Sequence, residues 1–293
     1  MQNDSQAPSY QTPGDSVLRL VIIGDIVGKP GMRMACQSIP WMRQELKAGC
    51  ILANAENAAD GSGLRCKDYR RLIETGLDGI TLGDHVFRKK EIIEILEGAS
   101  DIVRPLNLPP DAPGSTHMVL ELDDGTILVV VCALGRVFMK PVDCPFRAMN
   151  AKLEMLEGIS PLCLVDFHAE ATSDMQIMGR MLDGRVSAVV GTHTHVATAD
   201  EQILPSGTGF QSDIGMTGPF ESILGRRIDA VLEATLKGLP TAFQVATEDV
   251  RLNATWMDLD KNNGRCLHIE RLELYENQMI TYNEEREAAR KIL

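Results

Sequence analysis

The chain has 293 residues, 44% hydrophobic and 24% charged, the balance of a soluble globular protein with room for one large domain or two small ones. Its net charge of −12 argues against non-specific binding to nucleic acid or to anionic membrane surfaces. No apolar run approaches the roughly 20 residues of a membrane span, and seven cysteines without a CxxC pair read as buried reduced thiols of a cytoplasmic protein.

The polar N-terminus, "MQNDSQAPSYQTPGDS", lacks an apolar h-region and is expected to be a disordered leader over residues 1–17. From residue 18 on, apolar β-branched runs alternate with stretches of helical spacing. The predicted strands are "LRLVIIG" (18–24), "CILANAE" (50–56), "DGITLGD" (78–84), "MVLEL" (118–122), "TILVVVCAL" (126–134), "LCLVDFH" (162–168) and "VSAVVG" (186–191). Helices are expected over 31–47, 67–76, 89–98, 147–157 and 172–182. A further helix is expected around 220–236, with "GMTGP" (215–219) as the turn leading into it. Such alternation indicates an α/β fold with a substantially parallel sheet. "LELDDGTIL" and "MDLDKNNGRCLHIERLELY" add hairpins, which favours a mixed sheet or two stacked sheets. Nothing marks a domain boundary after residue 17, so 18–293 reads as one domain.

Several strands run out into residues that bind metals. Asp25 follows the first, Glu56 and Asn57 the second, Asp84 and His85 the third; His168 ends the sixth, and His193 and His195 follow the seventh. The carboxyl ends of strands line the ligand crevice of α/β sheets, so these segments are expected to converge. Only His117 and His268, of six histidines, fall outside the set. In extended backbone alternate side chains share a face, which would aim His193 and His195 at one centre with Thr194 turned away. Mixed carboxylate and imidazole ligands suit Mn, Fe or Zn better than Mg or Ca. Asp25, Glu56, Asp84, His168, His193 and His195 exceed the need of one open metal, and two metals sharing a carboxylate would use all six.

"GDIVGKPG", "AENAADGSG", "TLGDH", "DFHAEATSD", "GTHTHVATADE" and "DIGMTGP" resemble, in order and spacing, the motifs of the YmdB-like family of the calcineurin-like metallophosphoesterase superfamily. The resemblance runs from about residue 18 to 276. It implies a sandwich of two mixed β-sheets flanked by helices, and phosphodiesterase activity that includes 2′,3′-cyclic nucleotides. It also implies two divalent or trivalent metal ions, Fe or Mn ahead of Zn. By that resemblance Asp25 and His195 hold one ion, Asp84, His168 and His193 the other, and Glu56 bridges. Asn57 lies beside the metals and His85 is the proton donor. The family's usual "GNH" is "GDH" here, which puts the charge of Asp84 where a neutral Asn stands. A second departure is "HVFRKKE", where the family often has Trp-Asp near "FR".

Other segments carry less. "GDIVGKPG" lacks the spacing of a Walker loop, and its glycines read as tight-turn residues. Arg136 could contact phosphate or be a surface residue, and Asp166 and Glu170 could steady histidine ligands or be solvated charges. The expected function is a dinuclear metallophosphoesterase acting on a small-molecule phosphodiester, with homo-oligomerisation allowed. A phosphomonoesterase or nucleotidase with the same centre, or a regulatory protein that binds metal with little turnover, are the alternatives.

Overall fold

The computed structural model describes residues 10–290. In chain order its elements are β1 (Val17–Ile23), β2 (Asp25–Ile26), α1 (Gly28–Gln44), β3 (Cys50–Asn54), α2 (Cys66–Glu74), β4 (Gly79–Thr81), α3 (Ile92–Gly98), β5 (Ile102–Val103), β6 (Met118–Glu121), β7 (Ile127–Leu134) and α4 (Pro145–Met155). These are followed by β8 (Cys163–His168), α5 (Thr172–Leu182), β9 (Ala188–Thr192), β10 (Gln202–Ile203), β11 (Gly209–Gln211), β12 (Met216–Pro219), α6 (Ile228–Lys237), β13 (Val250–Asp260), β14 (Cys266–Tyr275) and α7 (Glu276–Arg290). None of the described helices is long and apolar enough to cross a membrane.

Two mixed sheets form, as the family resemblance implies. One runs β2-β12-β13-β1-β3-β4-β5, with β14 on β13; the other runs β10-β11-β9-β8-β7-β6. Within each sheet a run of parallel strands, β1-β3-β4-β5 and β7-β8-β9-β11, forms the middle. The antiparallel partners are the hairpin-like pieces β6 and β13–β14.

The period-two geometry of a strand explains the continuous apolar runs. On β1, Leu18, Leu20 and Ile22 face a core between the sheets, where they meet Leu52, Val130, Leu164, Val190 and Met257. Val21 and Ile23 face the other way, onto a core with Met34, Ile39 and Leu72 of α1 and α2. A third core beneath α4 and α5 gathers Met149, Val165, Phe167, Met178 and Phe210. Both faces of the central strands are therefore dry.

Four expectations need correction. The leader is not wholly detached: Tyr10 packs edge-on against Trp41 and Trp256, at ring-centroid distances of 6.0 and 5.9 Å. Residues 10–16 follow, anchored by Arg19 on the Gln11 carbonyl and Lys261 on the Asp15 carbonyl. The rest of the leader, 1–9, lies outside the described residues. "GMTGP" is mostly strand, not turn: β12 pairs with both β2 and β13. The helix after it begins only at Ile228, because Leu224 and Gly225 take positive φ and Ile223 and Arg226 close a tight bridge. Lastly, β9 ends at Thr192, so His193 and His195 are not on extended backbone; their φ values are 107° and 64°.

Glycines let the site-bearing segments approach. A Cβ on Gly24 would overlap the Gly215 carbonyl, and one on Gly191 the Ser212 carbonyl. Both obstacles are backbone and cannot swing aside. Gly24→Ala is expected to push β2 from β12 at a cost on the order of 1–3 kcal/mol. A lower thermal midpoint by circular dichroism checks it; an unchanged midpoint would show that this edge has slack.

Candidate metal centre

Asp25, Glu56, Asp84, His168, His193 and His195 come from both sheets and meet where the parallel strands end. Asp25 opens β2, Glu56 lies two residues past β3, Asp84 three past β4, His168 closes β8, and both other histidines follow β9. Donor atoms of Glu56, Asp84, His168 and His193 lie within 4.8 Å of one another. Around Glu56, Oε1 sits 3.2 Å from His168 Nε2, and Oε2 accepts the His85 backbone N–H at 2.8 Å. Asp84 Oδ1 is 3.6 Å from His168 Nε2 and 3.9 Å from His193 Nδ1. Asp25 and His195 form the other side, with 4.0 Å between Oδ1 and Nε2. Asn57 joins the halves: its Nδ2 lies 3.1 Å from Glu56 Oε1 and 3.2 Å from His195 Nε2.

The donors fit cations. Asp25 Oδ1 and Asp84 Oδ1 are buried and accept no hydrogen bond, a costly state for carboxylate oxygens. Burial pushes the Asp25 carboxyl up to about 7. Burial likewise opposes charge on His168, yet Glu56 and Asp84 hold it well above the ordinary imidazole range. A proton thus stabilises what a metal ion would stabilise better. Burial and the neighbouring His168 take His193 down to about 4, leaving its ring neutral and able to ligate. Gly83 leaves the space open, since a Cβ there would overlap Glu56 Oε2 and His168 Nε2.

Behind these side chains sits an ordered layer. His168 Nδ1 meets Thr192 Oγ1 at 2.8 Å, and Thr192 donates to Asp166 Oδ1 at 2.7 Å. Asp166 Oδ2 accepts from Asn54 at 3.2 Å and from Thr81. Asp166 therefore steadies His168 through a hydroxyl, a relay of the kind that fixes a ligand's tautomer. Glu170 does so directly for His193, 3.2 Å from Nε2. Arg136 points elsewhere, over the Phe146 ring and toward Cys144.

The YmdB-like protein family matches residues 21–272. The chain belongs to the YmdB-like family. It is 39% identical over 263 residues to the 2′,3′-cyclic-nucleotide 2′-phosphodiesterase of Bacillus subtilis (strain 168), covering 90% of this chain and 99% of that relative. Among solved structures, a hypothetical protein from Thermus thermophilus is 42% identical with a TM-score of 0.82, over 88% of this chain and 100% of that one. A structure described as a novel phosphatase of Mycoplasma pneumoniae is 29% identical with a TM-score of 0.83, over 88% and 94%.

In this YmdB-like chain, sequence reasoning missed Asp213. It is 1% exposed; its Oδ2 accepts the Thr194 N–H at 2.9 Å and its Oδ1 the Gly215 N–H at 2.7 Å. Gly215 in turn accepts the Asp25 N–H at 3.1 Å. One carboxylate thus grips the residue between the two loop histidines and the segment that positions Asp25. Its signal in the sequence was the motif "DIGMTGP", which reads as a turn rather than as a clamp. Leu224 was missed too; its carbonyl takes the His195 Nδ1–H at 3.2 Å and turns Nε2 toward Asn57.

Gly83→Ala is expected to leave a folded protein that no longer takes up metal at the Glu56, Asp84, His168 and His193 group. Elemental analysis beside a circular dichroism spectrum checks this. Full metal content in the variant would place the ions elsewhere.

Proposed function

We propose that the chain is a dinuclear metal-dependent phosphodiesterase that hydrolyses phosphodiesters such as 2′,3′-cyclic nucleotides. The observation that carries this reading is the meeting of six carboxylate and imidazole groups at the strand ends of the two sheets, with two buried carboxylate oxygens left unsatisfied. The activity named for the Bacillus relative supports the substrate class. Asp25 and His195 would hold one ion, Asp84, His168 and His193 the other, with Glu56 shared. Mn, Fe or Zn suits these mixed ligands better than Mg or Ca, and the family resemblance favours Fe or Mn. When bound, such a pair supplies Lewis acidity that activates water and neutralises charge on phosphoryl oxygens.

The chain's own groups then manage the proton and the geometry. His85 Nδ1 lies 2.8 Å from Asn57 Oδ1. If that nitrogen donates, Nε2 is left to carry a proton to the departing sugar oxygen, the role of a general acid. Asn57 cannot turn freely, because its Nδ2 is committed to Glu56 and His195. Thr192, Asp166 and Glu170 keep the histidines aimed. Seven free cysteines support a cytoplasmic location. A homo-oligomer is supported by α6, which buries none of its ten residues and is too short to stand alone in water.

The test is elemental analysis of protein purified without chelator, with assays on a 2′,3′-cyclic nucleotide, a generic diester and a monoester. About two equivalents of metal and a preference for diesters support the reading. A monoester preference makes the protein a phosphatase, and metal binding without turnover makes it a regulatory binder.

His85→Ala is expected to keep both ions and lose about 10²–10⁴-fold in kcat. The loss should shrink for a p-nitrophenolate leaving group, which needs little protonation. Equal losses for good and poor leaving groups would make His85 a positioning group.

Asp84→Asn is expected to stay folded, bind metal more weakly and turn over diesters faster at saturating metal. A unit charge ~4 Å away at an effective dielectric of ~20 is worth roughly 4 kcal/mol before compensation. Each ~1.4 kcal/mol that survives in the barrier is tenfold in rate. Kinetics across a metal titration check it; a slower enzyme at saturating metal would reverse the charge argument.

A further inference from the structure

We propose that the cavity beside His195 binds the base of a nucleotide, and that Asn253 recognises an exocyclic amine on that base. The proposal rests on the phosphodiesterase reading above and deepens it. The cavity is about 540 Å³, walled by Ile214, Met216, Phe220 and Leu224, with His195 and Asn253 also in its lining. Of these only His195 is a candidate metal ligand, and Leu224 touches the centre only through its carbonyl on that ring.

His195 is the wall the two sites share. Its Nε2 edge faces Asn57 at 3.2 Å and Asp25 at 4.0 Å. Its Nδ1 edge faces the Leu224 carbonyl at 3.2 Å, on the side of the cavity. A molecule with its phosphate at the centre and an aromatic group one sugar away would straddle this ring. A nucleoside cyclic phosphate has that shape.

The lining combines what a base needs: apolar walls for the ring faces and polar groups, Ser222 and Asn253 among them, for its edges. Phe220 offers a ring for stacking, and the Arg251 guanidinium lies 4.9 Å from its centroid. Asn253 is 7% exposed. Its Nδ2 is committed to the Met216 carbonyl at 3.2 Å, while Oδ1 accepts no hydrogen bond among the described residues. An available acceptor selects a donor. Cytosine presents an amine where uracil presents a carbonyl, so the cavity should prefer cytosine to its near-isostere. Arg271, tied to Glu201 at 3.0 Å, and Glu273 give the lining a charged part.

The test uses the full metal-loaded chain with cytidine 2′,3′-cyclic phosphate, uridine 2′,3′-cyclic phosphate and ethylene phosphate, a cyclic diester with no base. In the wild type kcat/KM for cytidine should exceed that for uridine by roughly tenfold, the scale set by one unpaired polar group. Asn253→Leu should erase that preference. Phe220→Ala should lower the ratio of nucleotide to ethylene phosphate kcat/KM by roughly tenfold, the scale of one lost stacking contact. An unmoved ratio in Phe220→Ala overturns the base site, and equal cytidine and uridine values in the wild type overturn the role of Asn253. No turnover of any diester would overturn the phosphodiesterase reading instead. Saturation-transfer NMR of free cytidine then decides the cavity by itself: base-proton signals that vanish in Phe220→Ala support it, and their absence in the wild type overturns it.

Discussion

A group of buried carboxyls with no lysine or arginine partner is the constraint around which this molecule is organised. Asp25, Glu56, Asp166 and Asp213 are each at most 1% exposed. Among the described residues none of them pairs with a lysine or arginine; histidines and backbone amides surround Asp25, Glu56 and Asp213, and Asn54, Thr81 and Thr192 surround Asp166. Burial pushes Asp213 up to about 8, with Asp25 adding repulsion. Ionised carboxylates so placed are expensive unless cations balance them. A protein would not carry this load for stability alone. The load makes sense as a site that gives up folding energy for affinity toward metal ions.

The fold meets that load by joining two sheets at their ends. Asn54 and Thr81 sit on strands of one sheet, Asp166 and Thr192 on strands of the other. All four share one hydrogen-bonded knot directly behind His168. The relay that aims a ligand is therefore also a clasp between the layers. Packing supplies the rest: the cores on either side of each sheet fix the strand ends, and the candidate ligands ride on those ends.

Much of this was legible in the sequence because strands with both faces buried write themselves as unbroken apolar runs. The runs around Leu20, Leu52, Val130 and Val190 all became strands in the dry interior. Their boundary residues, from Asp25 to His168, stood out because a polar residue at the end of such a run has few structural reasons to be there. What stayed illegible depends on backbone that breaks its own preference. His193 and His195 take positive φ, which few residues other than glycine adopt readily. The spacing of two histidines suggested extended chain, and only long-range contacts override it. Asp213 was passed over within its motif for the same reason, since its partners are backbone amides that carry no sequence signature. Tyr10 was misjudged because its surroundings are polar; its own ring, set against Trp41 and Trp256, outweighs them.

The two halves of the centre are consequently held by different means. Glu56, Asp84 and His168 follow or close strands of the parallel arrays, and their positions are over-determined by packing on both faces. His193 and His195 depend on a loop whose strained backbone is held by Asp213, by Leu224 and by the Asp25 carboxylate that accepts the His193 N–H at 3.0 Å. Strain of this kind persists only where surrounding contacts over-determine it. Asp25 thus has two tasks: one oxygen holds the loop and the other, unsatisfied, faces the centre. Removing Asp25 would therefore cost more than one ligand, because the loop that brings two histidines to the centre rests on the same side chain.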